Sequence, residues 1–580
     1  MRIIYKKRDK RDIITFLELL LPYMKYALWA LFLMFLTSLL QLPMPFLTRY
    51  LIDKVIPQRN LQLINKIGVL LIIFIFLRTS LSFIQHYFLI AFRIKVIQDI
   101  RIKIFKHLLF LPVSFFSNNS TGYIVSRASD DVEELQGLLA DTFVIAVQNV
   151  LTFLVGIFAC FYLHKKLTLF TLLILPVYCL AVIKFNKAMR EKTQEVREKH
   201  GELNATLVEQ ILGIWIIKAF NLFAWANRRY WEDVNELFKA RKWLSILSIV
   251  ASSISSLISA FAPILLIWYG GLQIVHGKFT VGGLLAFNSF LYYVFAPIQS
   301  LVNINYSVQR AWVSVKRILK LLSKEKEING EEKIEKIEFI RFENINFSYN
   351  DTSYVLKDIN FEIRKGDKIA IVGKTGSGKS TLLKLIMGFY YPTSGNIYVN
   401  GKELKKVDIY QLRYKIGYVS QDVFLFKGSV RENLFIENNK VSDREIREVL
   451  EMTKCDFIFD LPEGLDSEIE ELGSSLSGGE KQRIAIARAL LRKPELIIFD
   501  EATSHLDFET EKVIKNALYN FFRDRIIIFV THRLRIIKDF PKIVMMDKGT
   551  IIATGSHGEL FMDCPEYRSL YLSHSCVSSV

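Results

Sequence analysis

Long runs without charged residues alternate with charge-rich stretches along the first half of the chain. Twenty-three consecutive residues between Lys25 and Arg49 carry no charge, enough for a helix that crosses a bilayer. Within that run, Pro43 and Pro45 predict a bend. Before it, residues 13–21 predict a short helix lying on the membrane surface. Further apolar runs predict the other spans of a six-helix membrane domain, at residues 67–92, 142–163, 167–183, 244–275 and 279–309.

The second half of the chain has the shorter period that is typical of strands. Apolar residues alternate at 345–349 and again at 359–363, and residues 397–399 followed by Asn400-Gly401 predict a hairpin. Continuous apolar runs end at Val372, Phe499 and Val530, as expected for buried strands. We therefore predict three segments: a membrane domain at 1–320, a charged linker at 321–336, and a soluble α/β domain at 337–580.

Composition agrees with a membrane part joined to a soluble part. The 580 residues are 51% hydrophobic, 13% aromatic and 23% charged. The net charge of +17 would suit nucleic acid, but the basic residues flank apolar runs instead of forming one patch with interleaved aromatics. We therefore predict no nucleic-acid partner. The five cysteines are scattered without a CxxC pair, which favours free structural thiols.

Basic residues also predict the orientation in the membrane. They cluster before the first span and after the second and fourth spans, and positively charged ends face the cytoplasm. Six spans then leave both termini and the soluble domain in the cytoplasm. The predicted location is the cytoplasmic membrane, with short connections on the outer side.

A glycine-rich segment is the first candidate for chemistry. Residues 373–380 read GKTGSGKS and fit the pattern G-x-x-x-x-G-K-S between a buried strand and a helix. Its glycines allow backbone N–H groups to turn toward phosphate, Lys379 can reach the β- and γ-phosphates, and the Ser380 hydroxyl can bind Mg²⁺. The predicted ATP-binding residues are Gly373, Lys374, Thr375, Gly376, Ser377, Gly378, Lys379, Ser380 and Thr381.

Two further motifs complete this candidate ATPase. Asp500 and Glu501 directly follow four apolar residues, so Asp500 can hold Mg²⁺ through water and Glu501 can orient or deprotonate the attacking water. The segment LSGGE at 476–480 precedes a predicted helix. There the Ser477 hydroxyl and the N–H groups of Gly478 and Gly479 offer an anion site.

Together these motifs resemble the ATP-binding cassette exporters of the bacterial multidrug and lipid-flippase branch, over about residues 20–571. The LSGGE segment is the most specific element of the resemblance, and residues 111–132 and 209–220 resemble the two cytoplasmic loops of that family. The resemblance implies that Tyr349 stacks on adenine, that Gln421 contacts Mg²⁺ and the attacking water, and that His532 bonds the γ-phosphate. By themselves, a strand tyrosine more often packs, and a glutamine or histidine is more often a satisfied polar residue. The resemblance also implies a homodimer, or a dimer with a homologous half-transporter, with two cassettes enclosing ATP.

Three positions depart from the family pattern. Glu480 replaces the usual glutamine, His505 stands where alanine is common, and the segment around Leu472 lacks a frequent arginine. None of the three removes a phosphate ligand. They bear on coupling more than on hydrolysis.

Candidate cargo residues lie in the predicted spans. Asn288, Tyr292, Gln299 and Asn303 fall near one face of the sixth span, where they either line a wet cavity or hold helices together. Arg78 lies about 18 Å into the membrane, at about 1.5 Å per residue from Lys66. It would bind an anionic group of the cargo or pair with a backbone carbonyl.

The resulting prediction is ATP-driven export of an amphipathic drug, lipid or peptide by alternating access. Import is less favoured because the membrane and ATPase parts share one chain and little of it lies outside. A nucleotide-gated channel or sensor is the other alternative. The presence of Glu501 argues against it, since a gate needs no hydrolytic carboxylate.

Overall fold

The computed structural model of the chain describes residues 12–350, 353–435, 441–470, 473–503, 506–531 and 533–576. They form two compact units. The membrane unit comprises the chain up to Leu109 together with Thr121–Lys324, and the ATPase unit comprises Phe110–Ser120 and the chain from Glu325 onward.

The described residues of the membrane unit form helices joined by short turns, without a strand. The first helix is broken at residues 40–42, immediately before Pro43, so the predicted bend is confirmed. Short 3₁₀ and π segments occur at Leu21–Tyr23, Leu51–Val55 and Leu138–Thr142. The α-helices are α1 (residues 12–20), α2 (Met24–Leu39), α3 (Pro43–Tyr50), α4 (Leu61–Leu109), α5 (Val113–Ser117, in the ATPase unit), α6 (Thr121–Ala128), α7 (Asp130–Gly137), α8 (Phe143–Leu163), α9 (Lys165–Leu212), α10 (Ile214–Ala219), α11 (Phe223–Val275) and α12 (Val281–Leu322).

The three longest of these helices are far longer than a bilayer requires. α4, α9 and α11 contain 49, 48 and 53 residues, or about 70 to 80 Å, against a hydrocarbon core of about 30 Å. Among the described residues, five helices are long and apolar enough to cross a membrane, while α12 contributes a shorter apolar stretch, Val281–Pro297. The count of six spans therefore stays a prediction.

The ATPase unit contains two main sheets. A four-stranded antiparallel sheet has the order β2-β1-β4-β5, and a six-stranded sheet has the order β12-β11-β3-β10-β9-β6, in which only β12 runs antiparallel. The strands are β1 (Phe339–Phe347), β2 (Leu356–Arg364), β3 (Lys368–Gly373), β4 (Ser394–Val399), β5 (Lys402–Glu403), β6 (Ile416–Val419), β7 (Gly428–Ser429), β8 (Glu468–Ile469), β9 (Leu496–Asp500), β10 (Ile526–Val530), β11 (Lys542–Asp547) and β12 (Thr550–Gly555).

The strand predictions are confirmed where they can be compared. The hairpin forms between β4 and β5, with both Asn400 and Gly401 in the left-handed region that a two-residue turn requires. The continuous apolar runs become β3, β9 and β10, whose residues are all buried. These strands are parallel neighbours, so their carboxyl ends meet at one edge of the sheet, where ligands of open α/β sheets bind.

Helices cover the sheets and connect their strands. Apolar residues from both sheets and from the helix after β3 form one core, and helices after β9 and β10 contribute to a second. The α-helices of this unit are α13 (Lys379–Ile386), α14 (Ile409–Tyr414), α15 (Val430–Leu434), α16 (Asp443–Met452), α17 (Gly478–Leu491), α18 (Phe508–Phe521), α19 (Leu534–Ile537), α20 (His557–Asp563) and α21 (Pro565–Cys576).

The charged segment before β1 makes defined contacts within the ATPase unit. A carboxylate oxygen of Glu327 lies 2.9 Å from a guanidinium nitrogen of Arg413. The backbone N–H of Gly330 donates to the carbonyl of Val407, and Glu332 forms a parallel bridge with the same residue. This part of the predicted linker is therefore attached to the ATPase fold.

Candidate functional site

The phosphate loop, residues 373–380, connects β3 to α13 through left-handed glycines. Gly373 has a φ of 154° and Gly378 a φ of 99°. A Cβ atom at Gly373 would lie 2.2 Å from the Met546 carbonyl oxygen, and one at Gly378 would lie 2.6 Å from a methyl carbon of Leu356. Only glycine fits this turn, which brings the loop to the start of α13. The unpaired N–H groups of that helix end attract anions.

Inside the loop lie the buried ammonium group of Lys379 and the buried hydroxyl group of Ser377. The Lys379 ammonium donates to the carbonyls of Gly373 (2.9 Å) and Lys374 (3.1 Å). Burial lowers the pKa of Lys379, and the charges of Glu501 and Asp500 oppose that shift. The Ser377 hydroxyl is buried and has no hydrogen-bond partner among the described residues. Phosphate oxygens would satisfy both groups, so the loop fits a nucleotide.

Asp500, at the end of β9, is held by two hydroxyl groups. The Ser380 hydroxyl donates to Oδ1 at 3.0 Å, and the Tyr418 hydroxyl donates to Oδ2 at 3.3 Å. Burial raises the pKa of Asp500, and these two hydrogen bonds oppose that rise. Burial also raises the pKa of Tyr418, so its phenol stays protonated and acts as the donor.

The adjacent hydroxyl and carboxylate oxygens suit a hard divalent cation. Mg²⁺ is usually held by one or two protein oxygens, with water and phosphate completing its octahedron. Among the described residues there is no cluster of three or more histidine, cysteine or acidic residues that could hold a metal alone. Ser380 and Asp500 thus match the kind of site in which the nucleotide itself provides ligands.

Glu501 adopts a backbone conformation that non-glycine residues rarely take. Its φ is 53°, and its N–H donates to the carbonyl of Val530 at 2.9 Å. Such a conformation costs about 1 kcal/mol or more and tends to occur at functional sites. Val530 pairs with Asp500 in the sheet, so the chain toward His532 starts beside the carboxylates. His532 itself lies outside the described residues.

The remaining predicted nucleotide residues lie at the edges of this site. Tyr349 is 41% exposed, and its hydroxyl lies 3.1 Å from the Thr381 hydroxyl on α13. Its ring stands perpendicular to that of Tyr390, with centroids 5.0 Å apart. Tyr349 therefore lies beside the phosphate loop with part of its side chain exposed. Gln421 is exposed and lies two residues beyond β6. The exposed tip of the phosphate loop consists of Lys374, Thr375 and Gly376.

The segment at 476–480 starts α17 with a capping box. Ser477 is the N-cap, its hydroxyl lies 2.7 Å from the Glu480 carboxylate, and its N–H donates to the same carboxylate at 2.8 Å. A glutamate side chain accepts the hydrogen bond from the N-cap N–H as a glutamine side chain would, so the departure at Glu480 preserves the local fold. Gly478 and Gly479 form the first turn of α17. The other two departures, His505 and Leu472, lie outside the described residues.

Two cavities with shared walls lie within the membrane unit, with volumes of about 560 and 450 Å³. Arg78, Ser82 and His86 line both of them, and Tyr292 lines the second. Buried amide atoms of Gln148 and Asn149 have no hydrogen-bond partner among the described residues, and both side chains line the second cavity. These polar groups inside a membrane unit indicate a wet cavity.

The predicted cargo residues are only partly brought together by this cavity. Arg78 and Tyr292 meet there, although they are far apart in the chain. Asn288 is exposed and is not among the residues that line either cavity. The side chains of Gln299 and Asn303 lie outside the described part of α12.

Sequence reasoning missed Tyr418, which contacts Asp500. The tyrosine stands three residues before Gln421, but neither spacing nor residue type distinguishes it from a packing residue. The signal appears only in the pairing of β6 with β9, which places the two side chains on one face of the sheet. In a hydrophobic strand, a tyrosine is expected to pack against apolar neighbours and not to hydrogen-bond a carboxylate of the catalytic site.

The fold and the site thus define a membrane protein that carries a P-loop nucleotide site in the same chain. A family model described as the ABC transporter transmembrane region matches residues 27–298, and one described as ABC transporter matches residues 356–504. An ATP-dependent lipid A-core flippase from Syntrophus aciditrophicus is 32% identical over 538 residues, which cover 91% of this chain and 88% of that protein.

Other known proteins agree with these matches. A putative multidrug export ATP-binding/permease protein from Staphylococcus aureus (strain NCTC 8325 / PS 47) is 34% identical over 541 residues, covering 91% of this chain and 93% of its own. The solved structure of a bacterial Atm1-family ABC exporter with ATP bound aligns with a TM-score of 0.82. It covers 96% of this chain and 99% of that one at 23% identity, a likeness of fold.

The chain belongs to the ABC transporter family. It combines an exporter-type transmembrane region with an ABC ATPase domain, which confirms the fold class and the resemblance inferred from LSGGE. It is an ATPase whose hydrolysis of nucleotide is coupled to transport across a membrane.

Proposed function

We propose that the chain is one half of a homodimeric exporter that moves an amphipathic substrate out of the cytoplasm. The observation that carries this proposal is the intact pair Asp500-Glu501 beside a complete phosphate loop, in a chain whose membrane unit contains a polar cavity. A site that hydrolyses ATP supplies energy for pumping, which passive gating would not need.

The positions of the described site residues support the roles proposed for them, and the family resemblance supports the role of His532. Lys379 exchanges its loop carbonyls for phosphate oxygens, and Ser377 gains a partner in the same step. Mg²⁺, held by Ser380 and Asp500 with Gln421 nearby, would neutralise charge on the transferred phosphoryl group. Glu501 orients the attacking water and accepts its proton. His532 hydrogen-bonds the γ-phosphate, and Tyr349 stacks on the base.

The second copy of the chain completes each site in this proposal. One chain carries one phosphate loop and one capped α17 with an exposed Ser477. A γ-phosphate held by Lys379 of one chain would be met by Ser477, Gly478 and Gly479 of the other. The basic residues that flank the spans support a cytoplasmic side for both ATPase units and the cytoplasmic membrane as the location of the chain.

The cargo is proposed to be an amphiphile that enters from the bilayer or the cytoplasm. The cavity offers Arg78 and neutral hydrogen-bonding groups, which fit a polar or anionic head, while exposed apolar side chains around the spans fit a lipid or drug tail. The names of two relatives, for lipid A-core flipping and for multidrug export, support a cargo of this general kind.

Transport into inverted vesicles tests this proposal directly. The purified chain is screened for ATPase stimulation by lipids, drugs and processed peptides, and each stimulating compound is then assayed for ATP-dependent uptake. We expect uptake with the wild-type chain and none with Glu501→Gln. Uptake that proceeds without hydrolysis would identify a gated channel, and ATP-dependent loss of cargo from these vesicles would identify an importer.

The same assay tests the cavity. For an acidic cargo, Arg78→Ala should abolish stimulation and spare basal ATPase, because Arg78 lies in the membrane unit and outside the nucleotide site. Arg101→Ala serves as a matched control, because Arg101 is an exposed arginine on the same helix that lines neither cavity. If every acidic cargo still stimulates the ATPase activity of Arg78→Ala, Arg78 has only a structural role.

A further inference from the structure

Tyr418 lies beside the metal side of the nucleotide site because of strand register. β6 pairs with β9 in parallel, and Tyr418 is opposite Ile498. Side chains two residues apart in a strand point to the same face, so Tyr418 and Asp500 share a face of the sheet. Tyr418 is half-buried, and its hydroxyl lies 3.3 Å from Oδ2 of Asp500.

The other oxygen of the same carboxylate is held independently. The Ser380 hydroxyl lies 3.0 Å from Oδ1 of Asp500. Two donors from different elements, β6 and α13, therefore fix both oxygens and the plane of the carboxylate. If only the Ser380 donor remained, the terminal carboxylate torsion would be broad, as it is for aspartate in general.

We propose that Tyr418 is a positioning residue for the divalent cation of this ATPase. By donating to Oδ2 of Asp500, it directs Oδ1 toward Ser380 and the cation. The strand that carries Tyr418 leads on to Gln421, so the hydroxyl also fixes Asp500 relative to the loop that carries Gln421. This inference rests on the proposed function, in which Ser380 and Asp500 hold Mg²⁺ with ATP.

A metal-binding measurement tests the role without depending on turnover. Tyr418→Phe is introduced into the full chain carrying Glu501→Gln, which is expected to bind ATP without hydrolysing it. Mn²⁺ replaces Mg²⁺, and bound Mn²⁺ is followed by electron paramagnetic resonance at saturating ATP. Loss of one hydrogen bond to a charged acceptor should weaken Mn²⁺ binding about tenfold. ATP affinity in EDTA and the thermal unfolding midpoint should not change.

Tyr391→Phe is the matched control. The Tyr391 hydroxyl also lies in the ATPase unit and makes one hydrogen bond, to the carbonyl of Ile328 at 3.1 Å, away from the site. We expect wild-type Mn²⁺ affinity for this variant. Two results would show that Tyr418 has only a structural role and would overturn the proposal. One is an equal loss of Mn²⁺ affinity in both variants, and the other is a parallel loss of ATP affinity in EDTA.

The outcomes also separate this inference from the function on which it rests. If the parent chain binds Mn²⁺ with ATP and Tyr418→Phe binds it equally well, the positioning role is wrong and the ATPase assignment stands. If the parent binds ATP but no Mn²⁺, the assignment of Ser380 and Asp500 to a metal fails first.

Discussion

At the scale of single residues, Glu501 combines an unusual backbone with a decisive chemical position. Its left-handed φ follows directly after Asp500, and its N–H is tied to the neighbouring strand at Val530. Substitution of Glu501 by Gln keeps the size of the side chain and removes the charge. We expect ATP to bind while turnover falls about 100-fold or more, the usual contribution of a general base.

The control for this prediction is Glu509→Gln, an exposed acid in the first turn of α18. Turnover and nucleotide binding are measured for both variants in lipid. Near-normal turnover of Glu501→Gln would contradict the assignment. An equal loss in Glu509→Gln would point instead to a general effect of removing negative charge.

At the scale of elements, α18 joins the loop after Glu501 to the loop after β10. Glu511 on α18 is 1% exposed and accepts hydrogen bonds from Thr503 and from Arg533, the latter at 3.0 Å. Arg533 also donates to the carbonyl of Leu506 at 2.7 Å. One buried carboxylate thus holds together the segments that follow Glu501 and His532.

This arrangement predicts a loss of turnover when Glu511 is changed to Gln. Arg533 would keep its hydrogen bond to Leu506 and lose the negative charge of Glu511, so both loops should shift. Small misplacements of catalytic groups are costly, and we expect turnover to fall about tenfold or more. ATPase activity and thermal unfolding are measured together.

Lys515→Met supplies the matched element-scale control. Lys515 is on the same helix, is 4% exposed, and pairs with Asp539 at 2.8 Å. Each substitution breaks an ion pair in which one side chain is buried, so both variants should have a lower thermal unfolding midpoint. Only Glu511→Gln should lower turnover by more than its loss of stability explains. Equal losses of turnover in the two variants would mean that Glu511 has only a structural role.

At the scale of the whole molecule, the proposed dimer makes an arrangement-dependent prediction. If Lys379 of one chain and Ser477 of the other hold the same γ-phosphate, pairing a Lys379→Ala chain with a Ser477→Ala chain leaves one site intact. Placing both changes in one chain beside a wild-type partner damages both sites.

The two heterodimers are purified through two different tags and assayed for trapped nucleotide. We expect trapping at one site in the first heterodimer and at neither in the second. The reverse ranking would mean that each chain completes its own site, and the proposed obligatory dimer would be wrong. The wild-type dimer, carrying both tags, sets the reference for two sites.

The sequence by itself determined the chemistry that contiguous residues encode. The phosphate loop, the carboxylate pair and the start of α17 depend on short spacings, because glycine turns, strand ends and helix caps form from neighbouring residues. The uncharged runs likewise indicated the membrane part, since a bilayer core tolerates few charges. The alternation of residues located β1 and β2, and Asn400-Gly401 located the hairpin.

The tertiary structure alone decided which distant residues meet. Register between β6 and β9 placed Tyr418 on Asp500, packing of four helices brought Arg78 and Tyr292 to one cavity, and contacts grouped Phe110–Ser120 with the ATPase unit. No local pattern encodes such pairings, because they depend on how separate elements align once each has formed.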